Sequence, residues 1–71
     1  MELKQIFKEN VKFYRKRLKM TQGELAKKSG LSSNYIGEIE RTGRKATLDI
    51  VEKIALELNV EASILLIQRD K

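Results

Sequence analysis

Between "TQGELAKKS" and "SNYIGEIER" the chain has only Gly30, Leu31 and Ser32, and this short break constrains the fold more than any other feature. The first stretch opens on a capping box, in which Thr21 accepts from the backbone N–H of Glu24 and the Glu24 carboxylate reaches back to the Thr21 N–H. A helix therefore starts at Gln22, turns Leu25 and Ala26 inward, and stops near Ser29, where Gly30 can take the left-handed conformation that ends helices. Ser32 is then a good N-cap for a further helix whose Ile36 and Ile39, three apart, face a core. Two short helices joined by a tight glycine-containing turn form a helix-turn-helix, a unit whose second helix lies in the major groove of DNA.

The rest of the chain also reads as helical. There is no proline and no run of alternating β-branched residues, while Leu, Lys, Glu and Ile dominate. Leu3, Phe7, Val11, Tyr14 and Leu18 recur at three- and four-residue steps and predict a helix from about Leu3 to Lys19, its apolar face widened by Ile6 and Phe13. After a basic loop around Arg41 to Ala46, Thr47 caps a fourth helix with Leu48, Val51, Ile54, Ala55 and Leu58 in clean register. Asn59, which tolerates positive φ, ends it, and a short fifth helix is expected from about Glu61 to Gln68. No linker, repeat or low-complexity tract divides the sequence, so residues 1–71 are expected to form one all-α domain of five helices.

Composition narrows the chemistry. A chain of 71 residues buries only roughly 60% of its unfolded surface, which leaves little room for an enclosed active site. It has no cysteine and no histidine, so thiolate metal sites, disulfides and a neutral-pH imidazole base are excluded. The scattered carboxylates show no partner base, metal ligand or phosphate loop, so no catalytic residue, metal or cofactor is expected. The longest unbroken apolar run, Ile64 to Ile67, is far shorter than a membrane span or a signal-peptide core, and a soluble cytoplasmic location without a membrane partner is the expectation. The formal charge of +5 is unevenly placed: residues 12 to 45 hold ten cations against three anions, whereas residues 46 to 71 hold three against five. The basic middle coincides with the interrupted stretch and suggests that a polyanion is met there.

Projecting the third helix at about 100 degrees per residue sets Asn34, Gly37, Glu38 and Arg41 opposite Ile36 and Ile39, with Ser33 on the flank. This stripe is polar and can both donate and accept, as base-edge readout requires. Gly37 costs about 1 kcal/mol relative to alanine in mid-helix and fits a place of close approach. Ser33 and Asn34, at the positive end of the helix dipole, suit either a phosphate or a base, asparagine being matched to adenine. Glu38 is the odd member, because phosphates repel a carboxylate; it can accept from a cytosine amino group or hold a neighbouring arginine in place.

The residues "MTQGELAKKSGLSSNYIGEIER" followed by "TLDIVEKIALELNV" resemble the phage repressor and Cro family of DNA-binding domains, the xenobiotic-response-element type, over about Val11 to Leu66. The length and "YIGEIER" are most similar to the controller proteins of restriction-modification systems. The resemblance implies a compact lambda-repressor-like fold and a role for each matching residue. Gln22 would touch the DNA backbone and brace the recognition helix. Ser33, Asn34 and Glu38 would face bases, Tyr35 would lie near the backbone, and Arg41, Arg44, Lys45 and Thr47 would grip phosphates. Arg15 and Glu40 would form an ion pair joining the first helix to the end of the third. Thr42 stands where this family commonly has glycine, and Ala46 where it often has proline, so the loop that carries Arg44 and Lys45 is open to a different path.

In "EASILLIQ" the apolar side chains point in nearly every direction around a helix, and such a helix is buried on more than one side. Ile64, Leu65, Leu66 and Ile67 are accordingly expected to pack against a second copy in a symmetric dimer. The functional expectation is a homodimeric, sequence-specific regulator of transcription on a pseudo-palindromic site in double-stranded DNA, with restriction-modification genes among its targets and no small-molecule ligand. The alternative is a protein-interaction module, such as an antitoxin or a phage regulator, that works mainly through a protein partner.

Overall fold

The computed structural model describes residues 2–70. Among them the chain forms α1 (Leu3–Arg17), α2 (Gln22–Ser29), α3 (Ser33–Thr42), α4 (Leu48–Glu57) and a C-terminal 3₁₀ helix (Ala62–Leu66), with no strand. The boundaries follow local chemistry. Thr21 and Glu24 close the reciprocal capping box at 3.0 and 2.8 Å, which satisfies two backbone donors at the start of α2. Ser32 and Thr47 each accept from the backbone N–H three residues on, at 3.0 and 3.2 Å, and begin α3 and α4. Gly30 takes φ 72, and the Leu31 N–H then reaches back to the Ala26 carbonyl at 2.8 Å, which closes α2 and starts the turn. Asn59, at φ 61, follows the end of α4.

The core is made of Phe7, Val11, Leu25, Ala26, Ile36, Ile39, Val51, Ile54, Ala55, Leu58 and Leu65, contributed by every helix. At about 1.5 to 3 kcal/mol for each large aliphatic or aromatic side chain removed from water, this cluster is the main stabilising contribution. It holds α2 and α3 together, and sets α3 against α1 and α2 against α4. Several residues read as core lie outside it. Leu3, Phe13 and Leu18 remain 56%, 39% and 41% exposed, and Leu48 78%. Leu48 is the first residue of α4, where a side chain leans back over the N-terminal end instead of onto the core.

Two polar residues of α1 take buried positions. Asn10 is almost completely enclosed and donates from Nδ2 to the carbonyls of Ile64, Leu65 and Ile67 at 3.2, 3.0 and 2.8 Å. Its Oδ1 accepts from Arg69 Nε at 2.9 Å, and the Arg69 guanidinium lies 3.8 Å from the centre of the Phe13 ring. This corrects the expected fifth helix. The Ile64 and Ile67 N–H groups bond to the carbonyls three residues back, those of Glu61 and Ile64, so the chain makes one 3₁₀ turn, which Asn10 fastens to α1, and becomes extended at Ile67.

The same turn splits the expected dimer face. Leu65 is fully buried in the core of its own chain and has no surface to offer a partner. Leu66 lines a hollow with Leu3, Phe7, Ala46 and Leu48, whereas Ile64 and Ile67 line another with Phe13, Tyr14 and Arg17. Only Ile64 and Ile67 therefore share one face, Ile67 being 56% exposed.

Candidate nucleic-acid interface

Ser33 and Asn34 occupy the exposed first turn of α3. Ser32 caps the Tyr35 N–H, while the N–H groups of Ser33 and Asn34, the first two of the helix, have no intrahelical partner and point out of its positive end. This end can meet a phosphate or a base edge. Behind it, Ile36 and Ile39 anchor α3 in the core with no exposed surface, so the reading side is presented by a helix that cannot roll.

The far end of α3 is held by ions. Arg15 is buried, and its Nε and Nη2 donate to the two oxygens of the Glu40 carboxylate at 2.6 and 2.9 Å, while Nη1 donates to the Met20 carbonyl at 2.7 Å. The Arg15 and Glu40 side chains are 9% and 3% exposed, so the pair forms a two-pronged bond out of water. Gln22 donates from Nε2 to the same carboxylate at 3.1 Å, which ties the first residue of α2 to α3. Its Oε1 lies 3.5 Å from where a Cβ on Gly37 would sit, an ordinary contact, so Gly37 makes room beside Gln22 without being required by it. Lys12, not singled out from the sequence except as part of the basic middle, lines one groove with Gln22, Gly37, Glu40 and Arg41. Its position opposite α3 depends on the angle between helices and leaves no trace in local sequence.

Arg41, which the helical projection sets on the third helix and which also begins the basic loop in the sequence pattern, lies within α3, which runs through Thr42. Lys8 on α1 donates to the Arg41 carbonyl at 3.2 Å, placing a cation at the negative end of that helix. The helix closes at Gly43, at φ 71, one residue beyond the position where the family resemblance would put a glycine. Thr42 donates to the Glu38 carbonyl at 3.0 Å and accepts from the Arg44 N–H at 3.1 Å, so it shapes the loop in the absence of that glycine. Lys45 follows at φ 65, with its carbonyl accepting from the Tyr35 hydroxyl. The Lys45 Nζ stands 3.8 Å from a Glu38 carboxylate oxygen. The residue that pairs with Glu38 is thus a lysine of the loop and not an arginine. Partial burial first, and then the Glu38 carboxylate, hold the Tyr35 hydroxyl protonated above its ordinary value of 10.0.

Ser33, Asn34, Arg41, Arg44, Lys45 and Thr47 are exposed, and Glu38 is half-buried. The recognition stripe and the basic loop are brought together by Tyr35, Glu38 and Thr42, three side chains on α3 that all reach toward the loop. Thr47 uses its oxygen to cap α4. Such an arrangement offers a polar helix end flanked by cations, the combination that reads base edges while gripping phosphates.

Comparison with known proteins agrees with this geometry. A protein-family model described as "Helix-turn-helix" matches residues 11–65. The control protein C.SmaI of Serratia marcescens is 41% identical over 66 residues, covering 93% of this chain and 79% of that protein. Among solved structures, the wild-type restriction-modification controller protein C.Esp1396I superposes with a TM-score of 0.79 at 35% identity, covering 89% of this chain and 80% of that one. The biofilm master regulator SinR, solved in complex with DNA, gives a TM-score of 0.80 at 31% identity, over 86% of this chain and 98% of that one. With its two capped helices, its ion-paired third helix and a family match over most of its length, the chain belongs to the Cro/C1-type helix-turn-helix family.

Proposed function

We propose that the protein is a sequence-specific, double-stranded DNA-binding regulator of transcription that acts as a homodimer on a pseudo-palindromic operator, with restriction-modification genes among its targets. The observation that carries this reading is the exposed polar N-terminus of α3, Ser33 and Asn34, set beside a loop of Arg44 and Lys45 that α3 itself holds in place. Its similarity to C.SmaI supports the choice of target genes. Ser33, Asn34 and Glu38 contact bases; Gln22, Tyr35, Arg41, Arg44, Lys45 and Thr47 contact the backbone. Phosphate contacts supply affinity and its salt dependence, and the stripe on α3 supplies specificity.

The two roles separate experimentally. Asn34→Ala is expected to cost about 1 to 3 kcal/mol mainly at one base pair, whereas Arg44→Ala weakens all sequences alike. Binding profiles over a library of operator variants decide this: identical profiles for the two variants would contradict the division of roles.

The second copy docks on the face formed by Ile64 and Ile67, with the exposed edge of Phe13 beside it. Two recognition helices would then stand about one DNA turn, roughly 34 Å, apart. Sedimentation should show a dimer at micromolar concentration for the wild type and a monomer for Ile67→Glu. A monomer in both cases at tens of micromolar would contradict the dimer.

A further inference from the structure

Lys45 is tied to the recognition helix at both ends. Its carbonyl accepts from the Tyr35 hydroxyl, and its ammonium lies near the Glu38 carboxylate. Tyr35 and Glu38 are three residues apart, so the same helix surface presents both partners. Lys45 also takes a left-handed backbone conformation, at φ 65, that a residue with a Cβ adopts only when its surroundings hold it there. Of the two carboxylates on α3, Glu40 is committed to Arg15, and Glu38 alone stands on the side of Asn34 and Lys45. A free carboxylate in that position would repel phosphates; here its charge is met by the one loop cation within its reach.

We propose, on the basis of the DNA-binding reading above, that Glu38 is a specificity-determining residue that exchanges Lys45 for a base amino group, so that the phosphate grip of Lys45 depends on which base lies beneath Glu38. In the free protein Glu38 holds Lys45. On a duplex, Lys45 passes to a phosphate where an exocyclic amino group of cytosine or adenine takes its place as donor to the carboxylate. Guanine or thymine at that position presents only acceptors to Glu38. The carboxylate then keeps Lys45, and one phosphate contact is not made. Glu38 thereby lowers affinity for wrong sequences as well as recognising the right one, which is how a repulsive element contributes to selectivity.

The test uses full-length wild type, Glu38→Gln, Lys45→Met and the double variant. Each is titrated onto a mixed-sequence duplex between about 50 and 200 mM salt, the range over which phosphate contacts show themselves. With Lys45 present, Glu38→Gln should tighten mixed-sequence binding about 1.4- to 5-fold, the range of an exposed ion pair. It should also steepen the dependence of log K on log salt by about 0.9, one further phosphate contact. In the Lys45→Met background the slope should not change. The same change in both backgrounds, or no change with Lys45 present, overturns the exchange. If the wild type shows no salt-dependent duplex binding at all, the DNA-binding reading fails first, and the two failures are thus told apart.

Discussion

Replacing Glu40 with alanine is expected to destabilise the fold by about 3 to 5 kcal/mol, because it leaves a buried guanidinium without its counter-charge. The Arg15 side chain is 9% exposed and would retain only the Met20 carbonyl as acceptor. Gln22 would lose its acceptor in the same step and release the start of α2 from α3. For a domain of this size each kcal/mol shifts Tm by about 4 to 8 °C, so thermal unfolding followed by circular dichroism should show a fall of at least about 12 °C. Glu40→Gln keeps the size of the side chain and one acceptor oxygen but loses the charge and the second acceptor, and should fall between the alanine variant and the wild type. A loss below about 1 kcal/mol for Glu40→Ala, the value of an exposed pair, would mean that water reaches the site.

Gly43→Ala is the second large effect, and its cause is steric. Gly43 sits at φ 71, where a Cβ costs about 1 to 2 kcal/mol by itself. A Cβ there would also stand 2.3 Å from the Lys4 carbonyl oxygen, a backbone atom of the first turn of α1 that cannot rotate away. The helix start, the end of α3 or both must move. Gly30 provides the control, since it has φ 72 but nothing within 4 Å of the added Cβ. Gly30→Ala should therefore show the conformational cost alone, and Gly43→Ala should exceed it by about 1 to 3 kcal/mol, in the range of overpacking. Denaturant unfolding of the two variants measures the difference; equal losses would place the two backbones farther apart than the structure has them.

These two sites show why some of the molecule was legible in its residues and some was not. Caps and helix stops are local, so Thr21, Glu24, Gly30, Ser32, Thr47 and Asn59 declare themselves within three or four positions. Buried aliphatics at helical spacing, such as Val51, Ile54, Ala55 and Leu58, do the same. The Arg15–Glu40 pair came from the family resemblance and not from spacing, since its partners are 25 residues apart. Asn10 had no local mark at all: its bonds to the 3₁₀ turn and to the Ile67 carbonyl after it span 54 to 57 residues, and they fasten that segment to α1. This is tertiary structure overriding an apolar pattern that by itself reads as a helix. Gly43 carries no local mark for the same reason, because its constraint is the approach of the Lys4 backbone.

The interface divides along the same line. Its end at Ser33 and Asn34 follows from the cap at Ser32 and could be placed without a structure. The path of the loop could not, because three side chains of α3 hold it from outside. Thr42, Tyr35 and Glu38 meet Arg44 and Lys45, and these contacts turn a basic tract into a positioned set of charges. The same contacts set Glu38, a carboxylate on a basic surface, beside the Lys45 ammonium.

Selection of duplexes from a random-sequence pool, followed by sequencing, tests the central claim most directly. The account predicts enrichment of two inverted half-sites whose centres lie about one helical turn apart, as two recognition helices of a symmetric dimer require. Absence of any enriched sequence, or enrichment of a single asymmetric site without an inverted repeat, would contradict it.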